Sequence, residues 1–396
     1  MLTFEDACAL IRALPERTEI ERVAVAQAMG RVLAGDVVAR LDAPRHAVSA
    51  MDGYAVRDAD LAECPARLRV IGPVFAGDSG QLDVPAQACV RLFTGAPVPA
   101  GLDRVVIQEH VRRDGEFAVF ESAPGTQRHI RARGSDFRRG DRLLAAGTRL
   151  TAQGVVAAAG ADVAEVPVFA RPRVAVLSTG DELRAPGSAG LDDNGIPESA
   201  SLGVIAMAEQ WGARCVQHRC LPDVLDLLES AAEVALQSAD VVIVTGGASV
   251  GERDFAKAMF APHGLELVFS KVAIKPGKPV WLGRAAGRLV LGLPGNPTSM
   301  LVVARLLMAP LLLRSSGGDP VDAWRWQMAS LADGMSAGGE REEFIRARWS
   351  HEGRIAPLRN LDSSAQRTLS EADVLIRRVA GTPAVEAGAL VSVLPL

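Results

Sequence analysis

The stretch from Val241 to Asp254 constrains the fold of this chain more than any other part of the sequence. It reads VVIVTGGASVGERD, so four apolar β-branched residues run directly into Thr245 and two glycines. A helical pattern over residues 252–260 follows at once. This order predicts a buried strand, a glycine loop and the start of a helix.

The glycine loop of this stretch has the chemistry of an anion site. Gly246, Gly247 and Gly251 allow positive φ angles, so several N–H groups can face one point beside the positive end of the helix. The loop fits neither the dinucleotide pattern G-x-G-x-x-G nor the phosphate-loop pattern G-x-x-x-x-G-K-[ST]. Asp254 follows one turn later, and a carboxylate beside an anion is favourable when a cation lies between them, which predicts Mg²⁺. The alternative is a plain strand-to-helix turn in which Asp254 only faces the helix dipole.

Composition excludes several classes of protein. The chain has 396 residues, enough for about two to four domains. A net charge of −4 and an aromatic content of 4% argue against nucleic-acid binding. The five cysteines form no C-x-x-C pair, which predicts reduced, cytoplasmic thiols. The six histidines are scattered, so no metal site built from histidine is expected.

No segment is expected to cross or enter a membrane. The acidic amino terminus, with no long apolar core, does not resemble a signal peptide. The longest apolar stretch, Met300 to Leu313, contains Arg305 and Pro310 and is shorter than the roughly 20 residues that a span needs.

The order of strand and helix patterns predicts a multidomain α/β protein. Between residues 173 and 314, apolar runs at 174–177, 241–244 and 289–291 alternate with helical patterns, which predicts a doubly wound parallel sheet. Near the amino terminus we expect a helix after a capping box at Thr3, a second helix ending at Gly30, and a helix over 151–159. The predicted domains are a helical or mixed domain (1–43 plus 147–170), an inserted small β domain (44–146), the α/β domain (171–316) and a C-terminal β domain (317–396).

Polar residues follow the strand at 174–177 immediately. They are Ser178, Thr179, Gly180, Asp181 and Glu182. They should lie at the carboxyl edge of the sheet, where open α/β sheets bind ligands. The two carboxylates could hold a cation or accept hydrogen bonds, or they could simply favour a helix start.

A similar loop follows the strand at 289–291. It contains Pro294, Gly295, Asn296, Pro297 and Ser299. Asn296 suits an N-cap and Pro297 the first helical position, so the loop opens a helix and offers free N–H groups. Helix capping alone would also explain it.

Lys275 and Lys278 form a second kind of candidate. Each lysine precedes a proline, and in a polyproline-like helix of three residues per turn the two side chains project to the same side. Two ammonium groups held together repel unless an anion joins them, although a solvated lysine face is the alternative.

The first half of the chain contains weaker signals. Asp52 and Thr94 each lie beside a glycine in a loop, and each loop alone would pass as a turn. Five arginines between residues 131 and 142 surround Asp136, and a solvated basic loop is the commoner meaning of such a cluster.

Eight segments in a fixed order carry a family resemblance. They are SAMDGYAV (49–56), FTGAPVPAG (93–101), the loop from Ile130 to Gly140, STGDEL (178–183), TGGASVGERD (245–254), KPGKP (275–279), LPGNPTS (293–299) and REEFIRAR (341–348). Each segment alone is weak evidence for a family, but the eight segments together span nearly the whole chain. Together they resemble the molybdopterin molybdenumtransferase family, which includes the C-terminal part of gephyrin.

The resemblance implies an activity and an assembly. Adenylylated molybdopterin and molybdate would be the substrates, the molybdenum cofactor and AMP the products, and Mg²⁺ the metal ion. The pterin would bind to the doubly wound domain. The protein would be an elongated homodimer with composite active sites, joined through its helical or mixed domain. A molybdopterin adenylyltransferase and molybdoenzyme apoproteins would be partners.

The resemblance and the loop chemistry together assign roles to individual residues. Catalytic roles fall to Asp52, Thr94, Asp136, Glu182, Asp254, Lys275 and Lys278. Asp254 and Glu182 would also hold the metal. Substrate binding falls to Ser178, Thr179, Gly180, Asp181, Gly246, Gly247, Ser249, Gly251, Pro294, Gly295, Asn296, Pro297 and Ser299.

The chain departs from the family pattern at three places. Ser135 replaces an acid in the basic loop, Val48 replaces an asparagine, and residues 197–200 read Pro-Glu-Ser-Ala where the family has Tyr-Asp-Ser-Asn. These departures keep open a non-catalytic molybdopterin-binding or scaffold paralogue. A molybdopterin adenylyltransferase is the other alternative, although such proteins are typically single domains.

Overall fold

The fold is that of a computed structural model, which describes residues 1–15, 19–191, 193–246 and 255–396. The first 170 residues contain mainly short strands. Their helices and strands are α1 (Phe4–Arg12), β1 (Ile20–Ala24), β2 (Val37–Val38), β3 (Val48–Ser49), β4 (Gly53–Val56), β5 (Ala66–Val74), β6 (Ala88–Leu92), β7 (Arg104–Ile107), β8 (Arg112–Asp114), β9 (Phe117–Phe120), β10 (Ile130–Arg131), β11 (Arg142–Leu144), α2 (Ala152–Gly160) and β12 (Glu165–Phe169).

Three antiparallel strand pairs frame a β insertion. β1 pairs with β12, β2 with β11, and β3 with β10. Between them the chain forms a six-stranded sheet in the order β7-β4-β6-β5-β9-β8. Helix α2 confirms the helix predicted near residues 151–159. The residue boundaries predicted for the four domains stay predictions.

The amino terminus differs from the prediction in one respect. Helix α1 begins with the predicted capping box, in which Thr3 Oγ1 accepts from the Asp6 N–H at 3.1 Å and Asp6 Oδ2 accepts from the Thr3 N–H at 3.0 Å. The prediction of a second helix that ends at Gly30 is wrong. Strand β1 lies in this region and is followed by a single 3₁₀ turn. Residues 20–24 pair in register with β12, and this tertiary pairing outweighs the local helical preference.

The α/β domain follows. Its elements are β13 (Arg173–Thr179), β14 (Leu183–Arg184), β15 (Ile196–Pro197), α3 (Ala200–Gln210), β16 (Arg214–Leu221), α4 (Leu225–Ser238), β17 (Val241–Thr245), α5 (Phe255–Ala258), β18 (Glu266–Ser270), β19 (Ile274–Lys275), β20 (Trp281–Ala285), β21 (Arg288–Leu293), α6 (Pro297–Val303) and α7 (Ala309–Ser315). The main sheet has the order β16-β13-β17-β21-β20-β18. Its first four strands are parallel, which confirms the predicted doubly wound sheet, and β20 and β18 extend it antiparallel.

Both faces of this sheet are buried. Along β13, Val174 and Val176 face a core that includes residues of α1, α3 and α6, whereas Ala175 and Leu177 face a core formed with α4 and α5. Strand β17 alternates in the same way. A strand buried on both faces must be apolar throughout, which explains the unbroken apolar runs in the sequence.

Residues 297–315 form one continuous helical segment, because a π-helical turn at Ala304–Met308 joins α6 to α7. Its length and composition would allow it to cross a membrane. However, 83% of its most apolar 18-residue stretch is buried inside the fold, as in the core helix of a folded domain. Arg305 is buried in this helix and donates to the backbone carbonyls of Pro395 (2.6 Å) and Ala323 (2.9 Å). Burial lowers the pKa of Arg305 to about 10.

The C-terminal region forms a further mixed sheet. Its elements are β22 (Gln327–Ser330), β23 (Glu342–Trp349), β24 (Ile355–Pro357), α8 (Gln366–Ser370), β25 (Val374–Arg378) and β26 (Leu390–Pro395). The sheet has the order β19-β23-β25-β26-β22, so its first strand comes from the α/β region. Helix α1 also spans both regions, because Phe4 contacts Phe344 edge-on at a centroid distance of 4.9 Å while α1 packs against α7.

Among the glycines that the structure describes, Gly292 in β21 makes the tightest approach to a buried side chain. A Cβ placed on Gly292 would lie 1.9 Å from Nε1 of Trp281, which is fully buried. We therefore predict that Gly292→Ala lowers the free energy of unfolding of the α/β domain by about 2–3 kcal/mol, because the indole ring has no space to move. Denaturant unfolding followed by tryptophan fluorescence would measure the loss.

The matched control is Gly125→Ala. A Cβ on Gly125 meets no atom within 4 Å, and its φ is not in the left-handed region. Its unfolding free energy should stay within about 0.5 kcal/mol of the original chain. Equal stability of both variants would contradict the packing argument.

Candidate active site at the carboxyl edge of the central sheet

The central sheet has one topological switch point among its described strands, between β13 and β17. The helix after β13, α3, packs on one face of the sheet, and the helix after β17, α5, packs on the other. The chain therefore leaves these neighbouring strands towards opposite faces, and in open α/β sheets this arrangement forms a crevice at the carboxyl ends of the strands. Open α/β sheets bind ligands in such crevices.

Three strand ends meet in register at this crevice. Ser178 of β13 pairs with Thr245 of β17, and Thr245 pairs with Leu293 of β21. Each strand then runs into one of the loops singled out in the sequence. The sheet therefore brings together loops that are far apart in the chain. The loop after residue 178 and the loop after residue 293 are about 115 residues apart.

The glycines in these loops allow close backbone contact. A Cβ on Gly246 would lie 2.5 Å from the carbonyl oxygen of Thr179, and a Cβ on Gly295 would lie 3.6 Å from the Cα of Gly246. Gly246 also has a φ of 96°, which L residues rarely adopt. The described ends of these loops thus approach one another through backbone atoms.

Two adjacent carboxylates in the first loop have different environments. Asp181 Oδ1 accepts a hydrogen bond from the Asp223 N–H at 3.0 Å and so joins this loop to the end of β16. Glu182 is exposed, and its carboxylate folds back so that Oε2 would lie 2.8 Å from a Cβ on Gly180. Both residues are exposed, so both carboxylates lie on the solvent side of this edge.

Asp223 is a residue of this edge that the sequence interpretation missed. It follows β16, and its backbone contacts the loop of Asp181. The signal was available in principle, because β16 is a parallel strand and an acid after a parallel strand reaches the same edge. The alternating polar residues of β16 (RCVQHRCL) hid the strand from a search for apolar runs.

The loop before α6 begins a helix as predicted, with Pro297 at its first turn. The Asn296 side chain makes no capping hydrogen bond; its Nδ2 donates instead to Ser363 Oγ at 2.8 Å. The Thr298 N–H donates to the carbonyl oxygen of Ser363 at 3.1 Å. One of the N–H groups expected to be free is therefore occupied by the C-terminal region. Pro294 and Ser299 are buried, whereas Gly295 is exposed.

Arg346 of β23 holds the C-terminal loop in this position. Its buried guanidinium donates to Thr298 Oγ1 at 3.2 Å and to the carbonyl oxygens of Asn360 (3.0 Å), Asp362 (3.0 Å) and Ala365 (3.3 Å). The family resemblance included this arginine only as part of REEFIRAR. Its carbonyl partners could not be read from the sequence because a loop 14–19 residues away supplies them.

The predicted geometry of the lysine pair is wrong. Lys275 ends strand β19, and the next residues form a turn with Gly277 at a φ of 104°, not a polyproline-like helix. Lys275 Nζ binds Glu343 Oε1 at 3.0 Å, so it already has a counter-charge. Lys278 is exposed, and its ammonium has no ion-pair partner within the described part of the chain. Lys278 is thus the lysine whose charge is available to a ligand.

Asp52 and Thr94 meet in the inserted β domain. Asp52 Oδ1 accepts from both the N–H and the hydroxyl of Thr94, each at 2.8 Å. The backbone hydrogen bond from Thr94, followed by its hydroxyl, holds the pKa of Asp52 below its usual range. For the residues that the structure describes, no hydrogen bond joins this pair to the crevice of the same chain.

Arginines predicted to surround Asp136 bind other acids, and Arg142 pairs with Asp36 at 3.5 Å. Arg133 Nε binds Asp42 Oδ2 at 2.5 Å, and the Arg139 N–H binds Asp42 Oδ1 at 2.8 Å. Asp136 is exposed, and its N–H donates to the Ala43 carbonyl. A salt bridge from a residue more than 90 positions away could not be read from local spacing.

Four of the predicted site residues lie outside the described residues. They are Gly247, Ser249, Gly251 and Asp254. Over the ranges 1–15, 19–191, 193–246 and 255–396, no group of three histidine, cysteine, aspartate or glutamate side chains is arranged to hold a metal ion. A cation here would need oxygen atoms from elsewhere, such as substrate phosphate or water.

Known families account for most of the chain. Residues 2–161 match the MoeA N-terminal region (domain I and II), residues 175–314 match a probable molybdopterin binding domain, and residues 328–396 match the MoeA C-terminal region (domain IV).

Individual proteins of the same kind are also similar to this chain. A molybdopterin molybdenumtransferase of Haemophilus influenzae is 38% identical over 80% of this chain and 78% of its own length. One of Synechococcus elongatus is 34% identical over 89% and 88%. The structure of a molybdopterin biosynthesis MoeA protein from Pyrococcus horikoshii matches with a TM-score of 0.84, 25% identity and full coverage of both chains. The chain therefore belongs to the molybdopterin molybdenumtransferase family.

Proposed function

We propose that this protein transfers molybdenum from molybdate to adenylylated molybdopterin and releases AMP. The observation that carries the proposal is that the ends of β13, β17 and β21 lie side by side at the β13/β17 switch point, with Gly180, Gly246 and Gly295 directly after them, in a chain that matches the family over nearly its whole length. The substrate contains a pyrophosphate between pterin and adenosine. Backbone N–H groups at such an edge suit that charge.

The reaction breaks a phosphoanhydride bond, so the protein has to place the substrate and stabilise charge rather than supply a nucleophile. The N–H groups of the loops that contain Thr179, Gly246 and Gly295 would bind the pyrophosphate. Lys278, which lacks an ion-pair partner among the described residues, would offset the charge of molybdate or of the departing phosphate. Lys275 would act together with Glu343 at the boundary with the C-terminal sheet.

Mg²⁺ is part of this proposal. Glu182 is an exposed carboxylate at the edge, and Mg²⁺ is commonly bound by one or two carboxylates together with substrate phosphates and water. When bound, the ion would neutralise charge on the phosphate oxygens. Asp254 is the second carboxylate that the sequence assigns to it.

The proposed assembly is a cytoplasmic homodimer with composite sites. Asp52 and Thr94 form a pair on the inserted β domain and share no hydrogen bond with the crevice of their own chain, within the residues described. In a two-fold dimer, the β domain of one subunit would complete the crevice of the other. A molybdopterin adenylyltransferase would deliver the substrate, and molybdoenzyme apoproteins would receive the product.

One assay tests the proposed activity against the alternatives. We expect AMP to be released from adenylylated molybdopterin, and release to depend on molybdate. Binding without release would favour a scaffold paralogue. Formation of adenylylated molybdopterin from ATP would indicate an adenylyltransferase.

We predict that Lys278→Ala lowers kcat/KM for molybdate-dependent AMP release, because a charge-assisted contact worth about 1.5–3 kcal/mol is lost.

Lys275→Ala should resemble Glu343→Gln, because both changes break the same ion pair. The measurement is kcat/KM for all three variants. A loss in Lys275→Ala with full activity in Glu343→Gln would show that Lys275 binds the substrate anion directly.

A second prediction concerns the metal. Glu182→Gln keeps the size of the side chain but removes its charge, so a higher Mg²⁺ concentration should be needed for half-maximal activity. Asp333→Asn, which neutralises an exposed acid of the C-terminal region, is the control. Identical Mg²⁺ dependence in the two variants would contradict the role of Glu182.

The third prediction tests the composite site. Asp52→Ala and Glu182→Ala should each be inactive as homodimers. A mixed dimer would contain one site with both residues intact and one with neither. Random mixing gives about half mixed dimers, so roughly a quarter of the original activity should return.

Co-expression with two different tags allows the mixed dimers to be isolated before AMP release is measured. Confirmed mixed dimers without activity would show that Asp52 does not act in the partner's site.

A further inference from the structure

One end of the inserted β sheet places two phenylalanines beside the Asp52–Thr94 pair. The last residue of β6 pairs with the first residue of β4 and with the last residue of β5. The residues immediately outside these three strand ends are Asp52, Phe75 and Phe93, and Thr94 follows Phe93 directly. Two aromatic rings therefore lie next to the carboxylate and the hydroxyl to which the proposed reaction gives a role.

The two phenylalanine rings are stacked on each other. Their centroids are 4.7 Å apart and their planes differ by 8°. The Arg91 guanidinium lies over the Phe93 ring at 4.9 Å and over the Tyr54 ring at 5.0 Å, and it donates to the Gly53 carbonyl oxygen at 3.2 Å. Phe93 is thus held by a fixed cation, and it supports Phe75 in turn.

The Phe75 ring presents an aromatic surface to solvent. Aromatic residues make up only 4% of the chain, and within the described ranges Phe75 and Trp349 are the two that are exposed. Phe75 is 49% exposed although Phe93 covers one face of its ring. Residues 76–79, which follow it, are exposed as well, so a ligand can reach the ring. A supported ring with open surface is the arrangement on which a flat heteroaromatic ring stacks.

The stacked rings and the polar pair belong to one surface. The hydrogen bonds from Thr94 contribute most to the lowered pKa of Asp52, and the nearby positive charge of Arg91 lowers it further. The same arginine therefore lies close to the carboxylate and over the Phe93 ring. A ligand that reaches Asp52 and Thr94 comes within reach of Phe75.

Adenylylated molybdopterin carries two flat ring systems, a pterin and an adenine, on opposite sides of its pyrophosphate. The α/β domain matches a probable molybdopterin binding domain, so the pterin belongs there. The pyrophosphate is assigned to the loops at the sheet edge, and the adenine extends beyond it. In the proposed dimer, the surface that faces this edge is the β domain of the other subunit.

We propose that Phe75, supported by Phe93, stacks on the adenine ring of the substrate in the partner subunit's crevice. The inference rests on the proposed function. The adenine is remote from the bond that breaks, so its stacking helps to hold the phosphoanhydride beside Asp52 and Thr94. The finished cofactor has no adenine, and this contact therefore holds the substrate without holding that product.

AMP is the probe for this contact, because it contains the adenine without the pterin. In equilibrium titrations of the full chain, we expect Phe75→Ala to raise the Kd for AMP about tenfold. Phe75→Leu keeps the apolar bulk but not the flat ring, so it should bind AMP as weakly as Phe75→Ala. Phe75→Trp keeps a flat ring and should bind AMP about as tightly as the unaltered chain.

Two controls separate adenine stacking from a general effect. Molybdopterin without the adenylyl group should bind equally to Phe75→Ala and to the unaltered chain. Trp349→Ala removes the other exposed aromatic residue, which ends β23 in the C-terminal sheet, and should leave the Kd for AMP unchanged.

Several results would overturn the inference. They are an equal AMP affinity in Phe75→Ala and the unaltered chain, and an unaltered chain that binds no AMP. Weaker binding of molybdopterin to Phe75→Ala would assign the ring to the pterin instead of the adenine. A Phe75→Ala variant that sediments as a monomer, beside a dimeric unaltered chain, would show that the ring packs against protein.

The proposed function is tested separately by molybdate-dependent AMP release from the unaltered chain. Release together with an AMP affinity that does not depend on Phe75 removes the stacking inference alone. Binding of AMP that depends on Phe75, without release, refutes the proposed function and leaves an adenine site.

Discussion

The parallel pairing of β13 with β17, with the helices that follow them on opposite faces of the sheet, is the constraint on which the rest of the site depends. It fixes where the backbone diverges and therefore where a ligand can reach the strand ends. It also pairs Ser178 with Thr245, so that two buried hydroxyls lie side by side at the base of the crevice. The apolar sequence of both strands is required by the same arrangement, since each is covered on both faces.

The sequence was most informative where local pattern and tertiary structure coincide. The strands at 174–177, 241–244 and 289–291 were predicted correctly because a doubly buried strand must be apolar along its whole length. The loops after them could be placed at one edge from topology alone. Helix α1 was also predicted, because its capping box is a local interaction between Thr3 and Asp6.

The errors arose where distant residues decide the structure. Strand β1 looked helical in isolation but pairs with a strand more than 140 residues later. Lys275 looked like half of an anion site, yet a carboxylate from β23 neutralises it. Glu198 was noted only as a departure from the family pattern. Its side chain is buried and accepts from the Ser178 hydroxyl of β13, a contact that no local pattern contains.

Strand β19 belongs to the α/β region by sequence and to the C-terminal sheet by hydrogen bonding. Ile274 of β19, Phe344 of β23 and Leu394 of β26 share one core with Val174 of the central sheet. The unit that melts cooperatively is therefore larger than the α/β region, because the C-terminal sheet cannot separate without breaking strand pairing and exposing that common core. The inserted β sheet has its own apolar clusters, so it can open as an independent unit while the crevice stays intact.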